Sequence, residues 1–233
     1  MRSVMQLVAI GCLTLVFAAS ARTASPQDAT HTTAPRLPEN IPLFPLEDVM
    51  LFPTLSRPFM IFEPRYRAMI ADALKGDRVI GMVMLIPGHE AEYEGRPPIA
   101  AIGCAGTIAD FEALPDGRYN ILLKGLTKFR ILSEDQSRPY RIARVSPIPE
   151  ATTADDRAML SKLRPSIENL FSIIAPGAEP PPADLSDEDL VNAMSQYLDF
   201  TVTERQRLLE AEGAVARAQA VIRLLEMRPP APR

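Results

Sequence analysis

Large apolar residues and prolines crowd together along residues 41–74, IPLFPLEDVMLFPTLSRPFMIFEPRYRAMIADAL. The pattern predicts strand, turn, strand, helix. Proline donates no backbone hydrogen bond and suits edge strands, strand starts and bulges. Pro42, Pro45, Pro53 and Pro58 therefore place these short strands at the rim of a barrel. Phe59 and Ile61, with the residue between them, read as a buried strand. Glu63 and Pro64 open a helix, with Pro64 at the first helical position, where a missing N–H costs nothing. Tyr66, Met69, Ile70, Ala73 and Leu74 recur at helical spacing, and Gly76 closes the helix.

Strand patterns continue. Residues 78–86, RVIGMVMLI, form a short apolar run that predicts a strand buried on both faces. Residues 87–98 form a polar loop. In residues 99–109, Ile102, Cys104, Gly106 and Ile108 share one face, and the glycines predict a bulge or close backbone packing. Asp116-Gly117 is a hairpin signal. Tyr119, Ile121 and Leu123 alternate on the next strand, which Gly125 breaks before Phe129 and Ile131 begin another. Residues 140–145 give the last strand. Short strands with turns between them and one helix predict a small barrel-like β domain over 39–148.

At Pro147-Ile148-Pro149 the period changes from two to 3.6 residues. Leu160, Leu163, Ile167, Leu170 and Ile174 hold one face across Pro165, which predicts a kinked helix rather than two helices. Ser186 with Asp189 predicts a helix start, and so does Thr203 with Gln206, in a helix that Gly213 stops. Val215, Ala218, Ile222 and Leu225 form a last helical face. The fold class expected is therefore α+β: an N-terminal β-barrel-like domain with one helix, followed by a C-terminal helical bundle over 149–228 and a short tail at 229–233.

The N-terminus reads differently. Residues 1–21 combine Arg2, an apolar run from Leu7 to Ala19, and the small residues of Ala19-Ser20-Ala21. This is the pattern of a cleavable signal peptide, and it predicts export to a periplasmic or secreted location without stable membrane association after cleavage. An uncleaved N-terminal anchor is the alternative. Residues 22–38 are rich in Thr, Ala, Ser and Pro and read as a disordered linker.

Composition narrows the chemistry. The formal net charge of −4, from 25 Lys+Arg against 29 Asp+Glu, weighs against a nucleic-acid partner. The chain has neither a G-x-x-x-x-G-K-[ST] phosphate loop nor a G-x-S-x-G elbow. His31 and His89 both fall in polar segments, so His89 with Glu90, Glu92 and Glu94 reads as a solvated loop rather than a metal site. Cys104 is the one cysteine after the leader and reads as a small buried apolar residue rather than a reactive thiol. Glu63, Arg65 and Arg67 beside Tyr66 read as a corner in which Glu63 caps the helix or pairs with an arginine. No catalytic residues, cofactor or metal are expected.

The stretch from Ile41 to Leu74 resembles the opening of the Lon protease N-terminal, substrate-binding domain. The resemblance continues at Gly103–Ile108, at Asp116-Gly117-Arg118-Tyr119, at Leu123-Lys124-Gly125 and at Phe129-Arg130-Ile131, and covers roughly residues 40–228. It implies a PUA-like barrel followed by helices, with Glu63, Pro64, Arg65, Tyr66, Gly117 and Gly125 as its structural motif. It also implies a binding module for unfolded or extended polypeptide, without the ATPase and Ser–Lys peptidase domains of Lon. A separate protease or chaperone is a further expected partner. Phe44, Leu46, Leu51, Phe52, Phe59 and Met69 are the candidate peptide-binding residues, because a groove of Phe and Met adapts to varied partners and an edge strand can accept a peptide. A small-ligand or RNA-binding barrel is the alternative.

Overall fold

The computed structural model describes residues 37–89, 92, 95–135 and 137–229. Residues 1–21, read as a signal peptide, His31 and nearly all of residues 22–38 lie outside these residues, and so do Glu90, Glu94 and residues 230–233. The described residues belong to one compact unit, 34–233.

The architecture is a mixed six-stranded sheet carrying five helices, not a plain barrel. Strands β1 (Asn40–Leu46), β3 (Val79–Met84), β4 (Ile102–Ala113), β5 (Tyr119–Asp135) and β6 (Arg141–Ile148) pair in a closed ring, β5-β4-β3-β1-β6, with β6 returning to β5. The sixth strand, β2 (Ser56–Ile61), adds to the first half of β5. All pairs are antiparallel except β1 with β3. The long strand β5 makes this possible. Its residues 119–124 pair with β2 and β4, and its residues 128–135 pair with β6.

The proline-rich strand β1 is not a rim strand. Residues 40–43 pair with β6 and residues 43–46 pair with β3. Each half therefore has one neighbouring strand and carries one proline, which is where a missing donor is tolerated. The edge strand is β2, and of its six residues only Ile61 is buried. The reading of Phe59–Ile61 as a buried strand is corrected accordingly.

Two cores result. Ile41, Leu43, Val83, Ala105, Phe129, Ala143 and Val145, from all five ring strands, fill the space that the ring encloses. Gly81 and Gly103 make room for Phe129, since a Cβ on either would lie 2.7–2.8 Å from its ring. The second, larger core lies outside the ring. There Phe44, Leu51, Phe52, Met82, Cys104 and Leu123 meet α1 (Pro64–Ala73) and the helices α2 (Ala154–Ile174), α3 (Asp187–Tyr197), α4 (Val202–Glu210) and α5 (Gly213–Glu226). Helix α5 packs against α2, α3 and α4.

Some local expectations hold and others move. Pro64 is the first residue of α1, but Glu63 makes no side-chain cap. The chain leaves α1 through Arg78, whose φ of 58° is left-handed and whose N–H bonds to the Ala73 carbonyl, not through a left-handed Gly76. Pro165 lies inside one continuous helix, α2. Ser186 caps α3 by accepting from the N–H of Asp189. The capping box of α4 is Thr201 with Glu204, two residues before the Thr203–Gln206 pair, and Gly213, with a φ of 84°, starts α5. Both threonine pairs fit the motif in sequence. Phe200, just before Thr201, is buried.

Gly125 does not break its strand; β5 runs through it. A Cβ there would lie 2.1 Å from the Phe52 carbonyl oxygen, because the segment 52–55 lies across this point. The Gly125 N–H donates to the Leu55 carbonyl, and the Thr54 N–H donates to the Gly125 carbonyl. Gly117 is in the left-handed region, with a φ of 81°, in the turn between β4 and β5.

Candidate functional site

Of the six residues expected to line a binding groove, Phe59 borders one, and the other five pack into the core. Phe52, Leu51 and Met69 are 0% exposed, and Phe44 is buried. Phe44 packs edge-on against Phe59 and Tyr66, with centroids 5.6 and 4.8 Å apart. Leu46 and Phe59 are half-buried against the same core. The physical reason is the second core. Helices α1 to α5 cover the outer side of the ring, and an apolar surplus that looks large for a bare barrel is what those helices need.

At the corner, Glu63 pairs with an arginine. Arg65 Nε donates to Glu63 Oε2 at 3.0 Å, its Nη2 lies 2.9 Å from the same oxygen, and its guanidinium lies 4.7 Å from the Tyr66 ring centre. A cavity of about 250 Å3 beside it is lined by Arg65, Arg96, Arg141, Tyr66 and Tyr140. Arg141 pairs with Glu134 at 2.7 Å, and Arg96 donates to the Arg138 carbonyl at 3.1 Å. Arg141 thus joins β6 to β5, and Arg96 joins two loops. Tyr140 donates to Asp72 Oδ2 at 2.8 Å; burial, and then this carboxylate, push its phenol up to about 12. The Cys104 thiol is fully buried, and burial raises it far above the ordinary range for a reactive thiol. His89 Nδ1 lies 2.8 Å from Glu92 Oε1, and among the described residues no cluster of His, Cys, Asp and Glu could hold a metal ion. No helix of the described residues is long and apolar enough to cross a membrane.

Exposed apolar side chains occur on several elements, among them Tyr197, Leu132 and Met227, and one group lies on and beside β2. Met60 is 54% and Phe62 is 62% exposed. Phe111, on β4, is exposed with Arg78 over its ring at 5.6 Å. A groove of about 470 Å3 crosses β2, β5 and β4 between residues 58–60, 110–112 and 120–122. No described strand lies on the far edge of β2. Tyr197 covers the beginning of that edge by donating to the Ser56 carbonyl at 2.8 Å. Pro58 removes a donor from the middle of the strand, a usual way of blunting an edge. The available surface is therefore the sheet face rather than the edge. Its signal was present in the sequence: Pro58 and Met60 alternate with Phe59 and Ile61, so one pair must face away from the core.

A ring of five strands with an added edge strand, one helix after β2 and four helices stacked outside defines a mixed-sheet domain with an open apolar face. The chain belongs to the family of the ATP-dependent protease La (LON) substrate-binding domain, whose model matches residues 40–227. It is 29% identical over 219 residues to a Lon protease of Trichlorobacter lovleyi, covering 86% of this chain and 26% of that protein. It is 26% identical over 199 residues to Lon protease 2 of Myxococcus xanthus, covering 82% and 24%. The chain thus spans about a quarter of the length of these relatives. Among solved structures it is similar to the N-terminal domain of a Mycobacterium avium complex Lon protease, with TM-score 0.60, 17% identity, and coverage of 82% of this chain and 100% of that one. It is also similar to a Lon N-terminal domain protein from Xanthomonas campestris, with TM-score 0.56, 21% identity, and coverage of 82% and 99%.

Proposed function

We propose that this chain is a non-catalytic polypeptide-binding module that holds non-native or extended segments on the sheet face of β2, β5 and β4. The observation that carries the proposal is the exposure of Met60 and Phe62 beside a groove that opens across three strands of the sheet. Membership of a family described as a substrate-binding domain supports it. Methionine suits such a face because its flexible thioether adapts to different partners. A separate protease or chaperone would act on what is held, and the leader-like residues 1–21 point to this happening after export.

Burying one large apolar side chain contributes roughly 1.5–3 kcal/mol, about tenfold or more in affinity. The test is binding of a fluorescently labelled, permanently unfolded protein to the full chain and to Met60→Asp and Phe62→Asp. Binding weakened at least about tenfold, with an unchanged unfolding midpoint, is expected. Unaltered binding in both variants overturns the assignment to this face. An RNA complex would lose affinity steeply with added salt, whereas apolar polypeptide binding changes little.

A further inference from the structure

We infer that the face formed by β2, β5 and β4 selects, among extended polypeptides, segments that carry Lys or Arg beside an apolar side chain. The inference rests on the reading of the chain as a polypeptide-binding module and names what that module accepts.

Strand register defines the face. Pro58 lies opposite Leu122, which lies opposite Asp110; Met60 lies opposite Asn120, which lies opposite Glu112. Directly opposed side chains point to the same side of a sheet. Pro58, Met60 and Leu122 therefore make an apolar strip with the carboxylates of Asp110 and Glu112 along one side. Both carboxylates are exposed. Asp110 accepts the N–H of Phe111 at 2.8 Å, and Glu112 accepts the side-chain amide of Asn120 at 2.9 Å. These neutral donors hold the carboxylates in position and leave their charge uncompensated by any ion pair among the described residues.

The cations on this face stand at its ends. Arg118 donates to Asp116 at 2.7 Å and to the Met60 sulfur at 3.4 Å, so its charge is already matched. Lys124 lies opposite Ser56 and Thr107, at the other end. A segment that seats an apolar side chain on Met60 and Leu122 thus brings its neighbouring residues against Asp110 and Glu112. Lys or Arg there meets opposite charge, and Asp or Glu meets like charge. The same carboxylates repel nucleic-acid phosphate.

The test uses the full chain and three labelled peptides of one apolar pattern, with Lys, Gln or Glu at the flanking positions. Exposed ion pairs are individually weak, so the Lys peptide is expected to bind about fivefold tighter than the Glu peptide. The difference should shrink as salt is raised and disappear in Asp110→Asn/Glu112→Gln, whose exposed positions leave the unfolding midpoint in place. Equal binding of all three peptides, still weakened by Met60→Ser, overturns the charge selectivity while the module reading stands. A Lys preference that survives in the double variant overturns the assignment to these two carboxylates. No binding of any peptide overturns both the selectivity and the module reading.

Discussion

The backbone N–H of Phe52 donates to the side-chain oxygen of Gln196 at 2.9 Å, across 144 residues of sequence. One partner belongs to the loop between β1 and β2, the other to α3. Beside them Asn192 donates to the Pro53 carbonyl at 3.2 Å. Two buried amides of one helix thus satisfy the backbone groups of Phe52 and Pro53, just before the loop bonds to Gly125 of β5, so the strands and helices are joined by polar as well as apolar contacts. Removing the acceptor leaves a buried donor unsatisfied, which costs about 1–3 kcal/mol. Gln196→Leu is therefore expected to lower the unfolding free energy by that amount, seen as a lower urea midpoint, in a single transition monitored by both far-ultraviolet dichroism and tyrosine fluorescence. Separate transitions for the two probes would show that strands and helices unfold independently.

A second junction is ionic. Lys128 on β5 and Arg217 on α5 both reach Glu150 Oε1 at 2.6 Å, and all three side chains are nearly or fully buried. Arg217 also donates to Asn192 at 2.7 Å and to the Leu208 carbonyl at 3.0 Å, and Lys128 donates to the Ala211 carbonyl at 2.7 Å. Two cations share one carboxylate. Breaking a buried pair by removing one partner costs about 3–5 kcal/mol. Glu150→Gln should destabilise by this order, measured by chemical denaturation. Replacing all three with apolar residues of similar volume should cost less, because no uncompensated charge is left.

Glycine positions should separate sharply. Gly125→Ala puts a methyl group 2.1 Å from the Phe52 carbonyl oxygen, and the backbone on both sides is fixed by two hydrogen bonds. Gly117→Ala meets no close backbone and bears only the left-handed strain, about 1–2 kcal/mol. The expected order in thermal unfolding is a severe loss for Gly125→Ala and a moderate one for Gly117→Ala. Equal effects would contradict the close approach at Gly125.

The Tyr140–Asp72 hydrogen bond predicts a pH dependence. The phenol is raised in the folded state to about 12. Its contribution is therefore fully present below the unfolded value of about 10, and is lost as pH rises through about 12. The Asp72 carboxyl is lowered, chiefly by the hydrogen bond from Tyr140. Its contribution is present above the unfolded value of about 3.9 and is lost as pH falls through the folded one. Tyr140→Phe should cost about 1 kcal/mol between pH 5 and 9, and the difference from the parent should narrow above pH 10 and below pH 4. A difference constant from pH 9 to 12 would count against the pairing.

The sequence by itself determined the features that depend on near neighbours. The Asp116-Gly117 turn, the entry of α1 at Pro64, the Ser186–Asp189 cap and the change of period near Pro147 all appear in the structure. Each rests on a steric or hydrogen-bonding rule that acts within a few residues. Exposure is different. Phe52 and Phe62 are equally apolar in the sequence, yet one lies under the Arg217 guanidinium at 5.4 Å and the other faces solvent. What covers Phe52 comes from helices more than a hundred residues away, and nothing local announces them. The same holds for Gly125, whose role is set by a loop crossing over it rather than by its own strand. It holds too for Lys128, Glu150 and Arg217, three ordinary charges until the fold buries them together. Local chemistry decided where elements begin and end; the tertiary structure decided which apolar surface was left for a partner, because burial is a property of what lies above a side chain and not of the side chain itself.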